Sequence, residues 1–205
     1  AVTVREVLDD ALVSTAEPQV EVAADSLDNP VRWVFTNERE DVASFLAGGE
    51  LLVVEGRSLV ADGREKRADE YVKSLVNADI AALMVELVEE VTQLPKMLVK
   101  AAKHEGLTII GLRRRIPFVD ICQSVNTMIV RDQMRMQMQV DVMSTSLRSE
   151  LAQASNPKAV ADGIANLFGE DVVIFDVDGL EVARAGQNIN TATDCGIVLA
   201  LEEQK

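Results

Sequence analysis

The side chains with chemistry to offer are carboxylates, guanidiniums and hydroxyls just beyond runs that read as strands. Thr36, Asn37 and Glu38 follow one such run. Glu55, Arg57 and Ser58 follow the next, Glu86 a third, and Arg113, Arg114 and Arg115 a fourth. In an open parallel sheet, ligands settle beyond the carboxyl ends of the strands, near a topological switch point. An edge that mixes carboxylates with guanidiniums can pair with both ends of a zwitterion such as an amino acid, or with a ureide bearing a carboxylate. Asn37, Glu38, Glu55, Arg57, Arg113 and Arg115 are therefore candidate ligand-binding residues, and a motif quoted below adds Arg32. The alternative for most of them is ordinary solvated loop charge.

Other chemistries find little to work with. The chain has one histidine, His104, and two distant cysteines, Cys122 and Cys195, with no CxxC pair. Neither a disulfide scaffold nor a zinc site is expected. No Ser/His/Asp or Cys/His set assembles around one histidine, so no catalytic residue, metal or cofactor is expected. His104 reads as a surface residue near a helix end, where the dipole favours it. Gly48-Gly49 lacks the GxxxxGK[ST] pattern and precedes a strand, so it reads as a tight turn needing positive φ. Three consecutive arginines suggest nucleic acid, but the formal net charge is −14, from 34 acidic and 20 basic residues. Residues 1–116 carry 21 acids and 14 bases and the remainder 13 and 6, so each part is −7 and no basic module is hidden. Gripping a phosphate backbone needs clustered positive charge.

The elements that must position these groups are legible from periodicity. The 205 residues are 48% hydrophobic, enough for a sizeable core, and 3% aromatic, so that core is aliphatic. Thr3 to Leu8 reads as a short helix with a Thr3–Glu6 capping-box spacing. Strands are expected over 20–23, 31–35, 51–54, 81–85 and 108–111, and helices over 42–46, 65–76 and 95–105, the last between Pro95 and Gly106. Runs with little polar alternation imply strands buried on both faces of a largely parallel sheet. A three-layer α/β domain over residues 1–116 is the expectation.

From Phe118 to about Gln153 there is no proline or glycine, so one long helix is expected over 117–153. Cys122, Val125, Ile129, Met136, Val140, Met143 and Leu147 recur at three- and four-residue steps. Such a stripe calls for a partner, and a second copy of the helix is the economical one. Val125, Ile129, Met136, Val140, Met143 and Leu147 are the candidate dimerisation residues, with burial against the chain itself as the alternative. Gln133 and Gln139 interrupt the stripe, so it is not a strict coiled coil. Residues 154–205 read as a helix over 158–167, a strand over 172–175, an Asp178-Gly179 hairpin turn, a return strand over 180–184 and a further strand over 196–201. No apolar run reaches the length of a membrane span, and the opening residues lack a leader pattern. A soluble, cytoplasmic protein with no membrane partner is expected.

The stretch VRWVFTNEREDVASFLAGGELLVVEG, residues 31–56, is the most specific. With Thr3 to Leu8, Leu94-Pro95 and Ile116-Pro117-Phe118, it resembles the amino-terminal domain of the purine catabolism regulator (PucR) family of bacterial transcription factors. The positions that carry the resemblance are Arg32, Trp33, Glu38, Phe45, Leu46, Gly48, Gly49, Glu50, Leu51 and Gly56. Residues 167–186, LFGEDVVIFDVDGLEVARAG, look like the start of the GAF-like middle region of such regulators. Phe35-Thr36 and Val54-Glu55 stand where the family often has His-Ser and Thr-Thr, so a different effector or pose is implied. The resemblance implies the effector-sensing and dimerising region of a regulator of nitrogen-compound catabolism. Its effector would be an amino acid, an amine or a purine catabolite. DNA would be touched only through a carboxy-terminal domain that this chain lacks. A module for dimerisation or protein interaction alone, with no ligand in the α/β domain, is the alternative.

One further likeness points elsewhere. VVIFDVDGLEV, residues 172–182, resembles the first motif of haloacid-dehalogenase-type phosphatases, which would make Asp176 a nucleophile and Asp178 an acid/base. Leu180 stands where that motif has threonine, and only 25 residues follow. The hairpin reading is therefore preferred.

Overall fold

Apolar runs of strand length alternate with amphipathic segments, and the computed structural model, which describes residues 1–186, folds them in that order. Helices α1 (Val4–Leu8) and α2 (Ala11–Ser14) come first. Strands β1 (Pro18–Val22), β2 (Trp33–Thr36) and β3 (Glu50–Glu55) follow. Helix α3 (Ala68–Asn77), strand β4 (Ala82–Glu86), helix α4 (Lys96–Glu105) and strand β5 (Ile109–Leu112) complete the sheet region. Then come α5 (Phe118–Gln153), α6 (Pro157–Phe168), β6 (Val172–Phe175) and β7 (Glu181–Ala185). The strand expected over 196–201 and Cys195 lie outside the described residues.

Local chemistry fixes the ends. Thr3 accepts from the Glu6 N–H while the Glu6 carboxylate accepts from the Thr3 N–H, so the capping box forms. The Asp10 carboxylate caps α2, a helix the periodicity missed because it is one turn long. Helix α3 starts at Ala68 rather than Glu65, because Asp62 (φ 52°) and Gly63 (φ 71°) are left-handed and hold residues 61–67 in a kinked 3-10 path. Residues 42–45 are likewise 3-10 rather than α. Pro95 caps α4, and Gly106 closes it in the left-handed conformation.

The sheet order is β1-β5-β4-β3-β2. The pairs β2–β3, β3–β4 and β4–β5 are parallel, and β1 joins β5 antiparallel. Alternate side chains of the central strands feed two cores. Leu52, Val54, Leu83, Val85 and Ile109 meet Tyr71, Val72 and Leu75 of α3 and Leu98, Ala101 and Ala102 of α4. Leu51, Val53, Ala82, Met84, Ile110 and Leu112 meet Val4, Val7 and Val13 on one side and Ile121, Val125 and Ile129 of α5 on the other. This is the expected three-layer, largely parallel architecture. The order from β2 to β5 never reverses, and α3 and α4 cover the same face. A switch-point crevice arises where successive crossovers go to opposite faces, so the one expected from the sequence is not formed.

The chain divides into two compact units, residues 1–135 and 136–205, and α5 runs from one into the other. In the first unit Val125 and Ile129 are 0% and 3% exposed within the chain's own core. For these two, burial inside the chain takes the place of the expected partner helix. In the second, Met136, Val140 and Met143 are 49%, 59% and 40% exposed, and Leu147 is half-buried. There α6 packs on the β6–β7 hairpin through Ala161, Ala165, Ala183 and Ala185. Among the described residues no helix is long and apolar enough to cross a membrane.

Candidate functional site

The carboxyl ends of β2 and β3 lie side by side, and short polar side chains tie together the loops that leave them. The Thr36 hydroxyl donates to the Val53 carbonyl at 2.8 Å. The Asn37 side-chain oxygen accepts from the Arg39 N–H at 2.9 Å, an Asx turn that swings the chain out of the sheet. Glu38 is thereby placed over β3, where its carboxylate accepts the Glu55 N–H at 3.1 Å. The Ser58 hydroxyl, which donates to the Glu55 carbonyl at 2.7 Å, also faces it. Burial raises the Glu38 carboxyl above the usual range, and neighbouring Glu55 adds to the rise. The hydrogen bonds from Ser58 and the Glu55 N–H, and the charge of Arg64, only partly offset it. Arg64 reaches across from residues 61–67 to donate to the Glu38 carbonyl at 2.8 Å. Its guanidinium lies over the Tyr71 ring, 5.0 Å from the centroid.

Further along the same edge the guanidiniums already have partners. Arg57 pairs with Glu55. Arg113 pairs with Glu21 and also donates to the Thr92 carbonyl at 2.7 Å, and Arg114 pairs with Glu17 at 3.2 Å. Arg115 joins Glu86, at 3.3 Å, to Glu89, at 3.1 Å. The structure therefore gathers Asn37, Glu38, Glu55 and Arg57 around the ends of β2 and β3, and sets Arg113 and Arg115 apart beyond β5. Beside the Glu38 cluster, an open cleft of about 620 Å³ lies between residues 39–44 and α3, lined by Arg39, Glu40, Asp41, Glu70, Tyr71 and Ser74. Arg67 grips Glu40 through two hydrogen bonds of 2.6 and 3.0 Å and holds its carboxyl low.

Arg32 is not part of this edge. It precedes β2, at the amino end of the parallel strands, apart from the other ligand candidates. Its guanidinium donates to the Gly48 carbonyl at 2.8 Å and to the Glu50 carboxylate at 2.7 Å. Glu50 is 6% exposed and also accepts the N–H groups of Ala47 and Gly48, at 2.8 and 2.9 Å. Burial alone would raise its carboxyl, but these donors and Arg32 together bring it below the usual range. Gly48 and Gly49 sit at φ 105° and 77°, and a Cβ on Gly49 would come within 3.0 Å of the Arg32 Cβ. The Arg…Gly-Gly-Glu signature is thus a turn device, and its glycines supply the positive φ.

The remaining candidates are structural. Asp176 accepts the N–H groups of Asp178 and Leu180 at 2.9 Å, which builds the β6–β7 turn. His104 is a surface residue beside Glu105. Burial pushes the Cys122 thiol up, away from thiolate chemistry. Among the described residues no three His, Cys, Asp or Glu side chains converge to hold a metal. Sequence reasoning missed Tyr71 and Arg64 as site residues, since the helical pattern marked Tyr71 only as core. It also missed Asn126 of α5. Its amide accepts the Val34 N–H at 2.8 Å and donates to the Val34 carbonyl at 3.0 Å, which satisfies the outer edge of β2.

A model of the Purine catabolism regulatory protein-like family (PucR) matches residues 6–129. The chain belongs to the PucR family. That match takes in the whole sheet, both of its cores apart from Val2 and Val4, and the first three turns of α5, so the PucR region is the first compact unit almost in full. PucR proteins are regulatory rather than enzymatic. No curated protein sequence matches the chain. Among solved structures, the regulatory region of a Clostridium perfringens pyrophosphatase, with its CBS and DRTGG domains complexed with the activator diadenosine tetraphosphate, is 15% identical. That match covers 88% of this chain and 67% of the other at a TM-score of 0.38, a likeness too loose to place a ligand.

Proposed function

We propose that residues 1–135 are the sensory part of a bacterial transcriptional regulator of nitrogen-compound catabolism, and that a small metabolite binds around the carboxyl ends of β2 and β3. The observation that carries this reading is the cluster after those strands. There a carboxyl raised by burial, a hydroxyl and an arginine gather beside Tyr71, which itself lines an open cleft, in a chain of the PucR family. Asn37, Glu38, Glu55 and Arg57 are the ligand-binding residues of this reading. Arg113 and Arg115 take a supporting role at the far end of the edge. The effector is an amino acid, an amine or a purine catabolite. Binding would favour one state of the domain, and α5 would carry that bias onward. Asn126 supplies a physical link, since it joins α5 to the strand that leads into Asn37 and Glu38.

In this reading the chain is cytoplasmic and works as a homodimer, with DNA contacted by another part of the regulator. Met136, Val140, Met143 and Leu147 of α5 meet a second copy. Residues 1–116 serve as the sensor, 117–153 as the connecting and dimerisation helix, and 154–205 as the opening of a GAF-like domain. Thermal-shift titration with amino acids, amines and purine catabolites tests the sensing. No stabilisation by any of them at millimolar concentration would count against it. Sedimentation equilibrium tests the dimer, and Met136→Glu with Val140→Glu should yield monomers that keep the wild-type Tm of residues 1–135. One observation favours a second reading, a protein-interaction and dimerisation module without a ligand. The arginines beyond β3 and β5 already have carboxylate partners.

A further inference from the structure

Tyr71 is the only tyrosine in the chain, and it is 5% exposed. Its hydroxyl has no hydrogen-bond partner among the described residues. Buried hydroxyls are rarely left so, because nothing then replaces the lost hydration. Burial pushes the phenol up to about 12, so it stays a neutral hydroxyl that can both donate and accept. Arg64, Glu38 and Glu40 are the charged groups that act on it. The Arg64 guanidinium lies over the ring, 5.0 Å from its centroid, and acts on the phenol through its charge and a weak side-chain contact that falls short of hydrogen-bond geometry.

An aromatic face, a carboxylate and an unpartnered hydroxyl together are the components of a site for an organic cation. The chain's own Arg64 guanidinium already lies on that face. It arrives from residues 61–67, a segment bent by two successive left-handed residues, Asp62 and Gly63, and its Nη1 donates to the Glu38 carbonyl at 2.8 Å. In the adjoining cleft Glu40 and Asp41 are held by Arg67 and Arg39, and Glu70 is the lining carboxylate that a second positive group on the same ligand would meet.

We propose that the site formed by Tyr71, Glu38 and Ser58 binds a small organic cation bearing a guanidinium or primary ammonium group, and that Arg64 is an internal occupant which this ligand displaces. The proposal rests on the reading of residues 1–135 as a sensor and names the class of its effector. The incoming N–H groups bond the Glu38 carboxylate and the Tyr71 hydroxyl. Loss of the Arg64 contact removes one of two ties between residues 61–67 and the loop that follows β2, leaving the Arg67–Glu40 pair, so occupancy is written into the strand that Asn126 ties to α5.

The sole tyrosine makes the test direct. The full chain, labelled with ¹³Cζ-tyrosine, is titrated with agmatine, which carries a guanidinium and an amine, and with the anion pentanoate. The expected result is a saturable shift of the single tyrosine resonance with agmatine and none with pentanoate. Arg64→Ala should bind agmatine about tenfold more tightly, because the ligand no longer competes with the chain's own cation. Arg64→Gln serves if circular dichroism shows that Arg64→Ala has lost its fold. By calorimetry Glu38→Gln should weaken binding roughly tenfold and Tyr71→Phe about fivefold. Absence of a saturable shift in both wild type and the Arg64 variant up to about 10 mM, the range of millimolar affinity, overturns the proposal. So does binding that neither Tyr71→Phe nor Glu38→Gln alters. Binding of an amino acid or purine catabolite without movement of the tyrosine resonance sinks the cation site and leaves the sensor reading standing. Stabilisation by no ligand at all sinks both.

Discussion

The two ends of the parallel sheet use their charged side chains differently. At the amino end, Glu50 receives Arg32 and two backbone N–H groups, so its charge is fully compensated and its carboxyl is held low. At the carboxyl end, burial raises the Glu38 carboxyl and the Tyr71 hydroxyl has no hydrogen-bond partner among the described residues. The first is a closed arrangement whose job is to hold a turn. The second is open in the chemical sense, with hydrogen-bonding capacity that the chain does not use. The most recognisable stretch, residues 31–56, therefore reaches both ends: its Arg32 and Gly-Gly-Glu mark the closed one, and its Glu38 and Glu55 the open one.

The sharpest way to break this comparison is at Glu50. Glu50→Ala removes the acceptor for two N–H groups and for Arg32, and should lower stability by about 3 kcal/mol in chemical denaturation. A loss under about 1 kcal/mol would mean that the amino end is no more committed than a surface ion pair. Next comes α5, where Val125→Ala should cost roughly 2 kcal/mol through the cavity it leaves, although the same change at Val140, exposed within the single chain, should weaken self-association and leave the unfolding of residues 1–135 unmoved. Equal effects at the two positions would show that the two halves of the helix are not differently used. Asn126→Ala leaves the Val34 N–H and carbonyl unmatched, and an expected loss of about 1–2 kcal/mol is again read by denaturation.

The smallest effect is a pH profile with opposite signs at the two ends. The Glu50 carboxyl is lowered, so its stabilisation is present above the ordinary value of 4.5 and is lost as pH falls through the folded pKa. The Glu38 carboxyl is raised, so its contribution is intact below 4.5 and is lost as pH rises through the folded pKa. Measured against Glu38→Gln, wild type should therefore weaken with rising pH, by less than about 1 kcal/mol because Glu38 is solvent-screened. Measured against Glu50→Gln, wild type should instead strengthen with rising pH. Profiles of the same sign would erase the distinction between the two ends.

Much of the fold was legible because burial imprints a period on the sequence. The runs in β3 and β4 could only be strands covered on both faces, and the stretch without proline or glycine from Phe118 to Gln153 could only continue as helix. Legibility failed where geometry departs from the period. Asp62 and Gly63 delay α3, and β1 turns antiparallel beside β5. The site was legible in part. The placement of Glu38 and Glu55 beyond β2 and β3 was legible because strand ends are predictable, whereas the end of the sheet that Arg32 occupies was not, because a motif records only neighbours in sequence.

By itself, the sequence determined the layers, the long helix and the membership in the PucR family, since hydrophobic period and motif order are properties of the chain read in line. Packing in three dimensions settles which half of α5's stripe is buried in its own core, which arginines are already paired, and that the Tyr71 hydroxyl, beneath Arg64, is enclosed with no partner among the described residues. Those facts depend on groups brought together across tens of residues. A pattern of side-chain types fixes which groups can meet, and only the packed fold fixes which of them do.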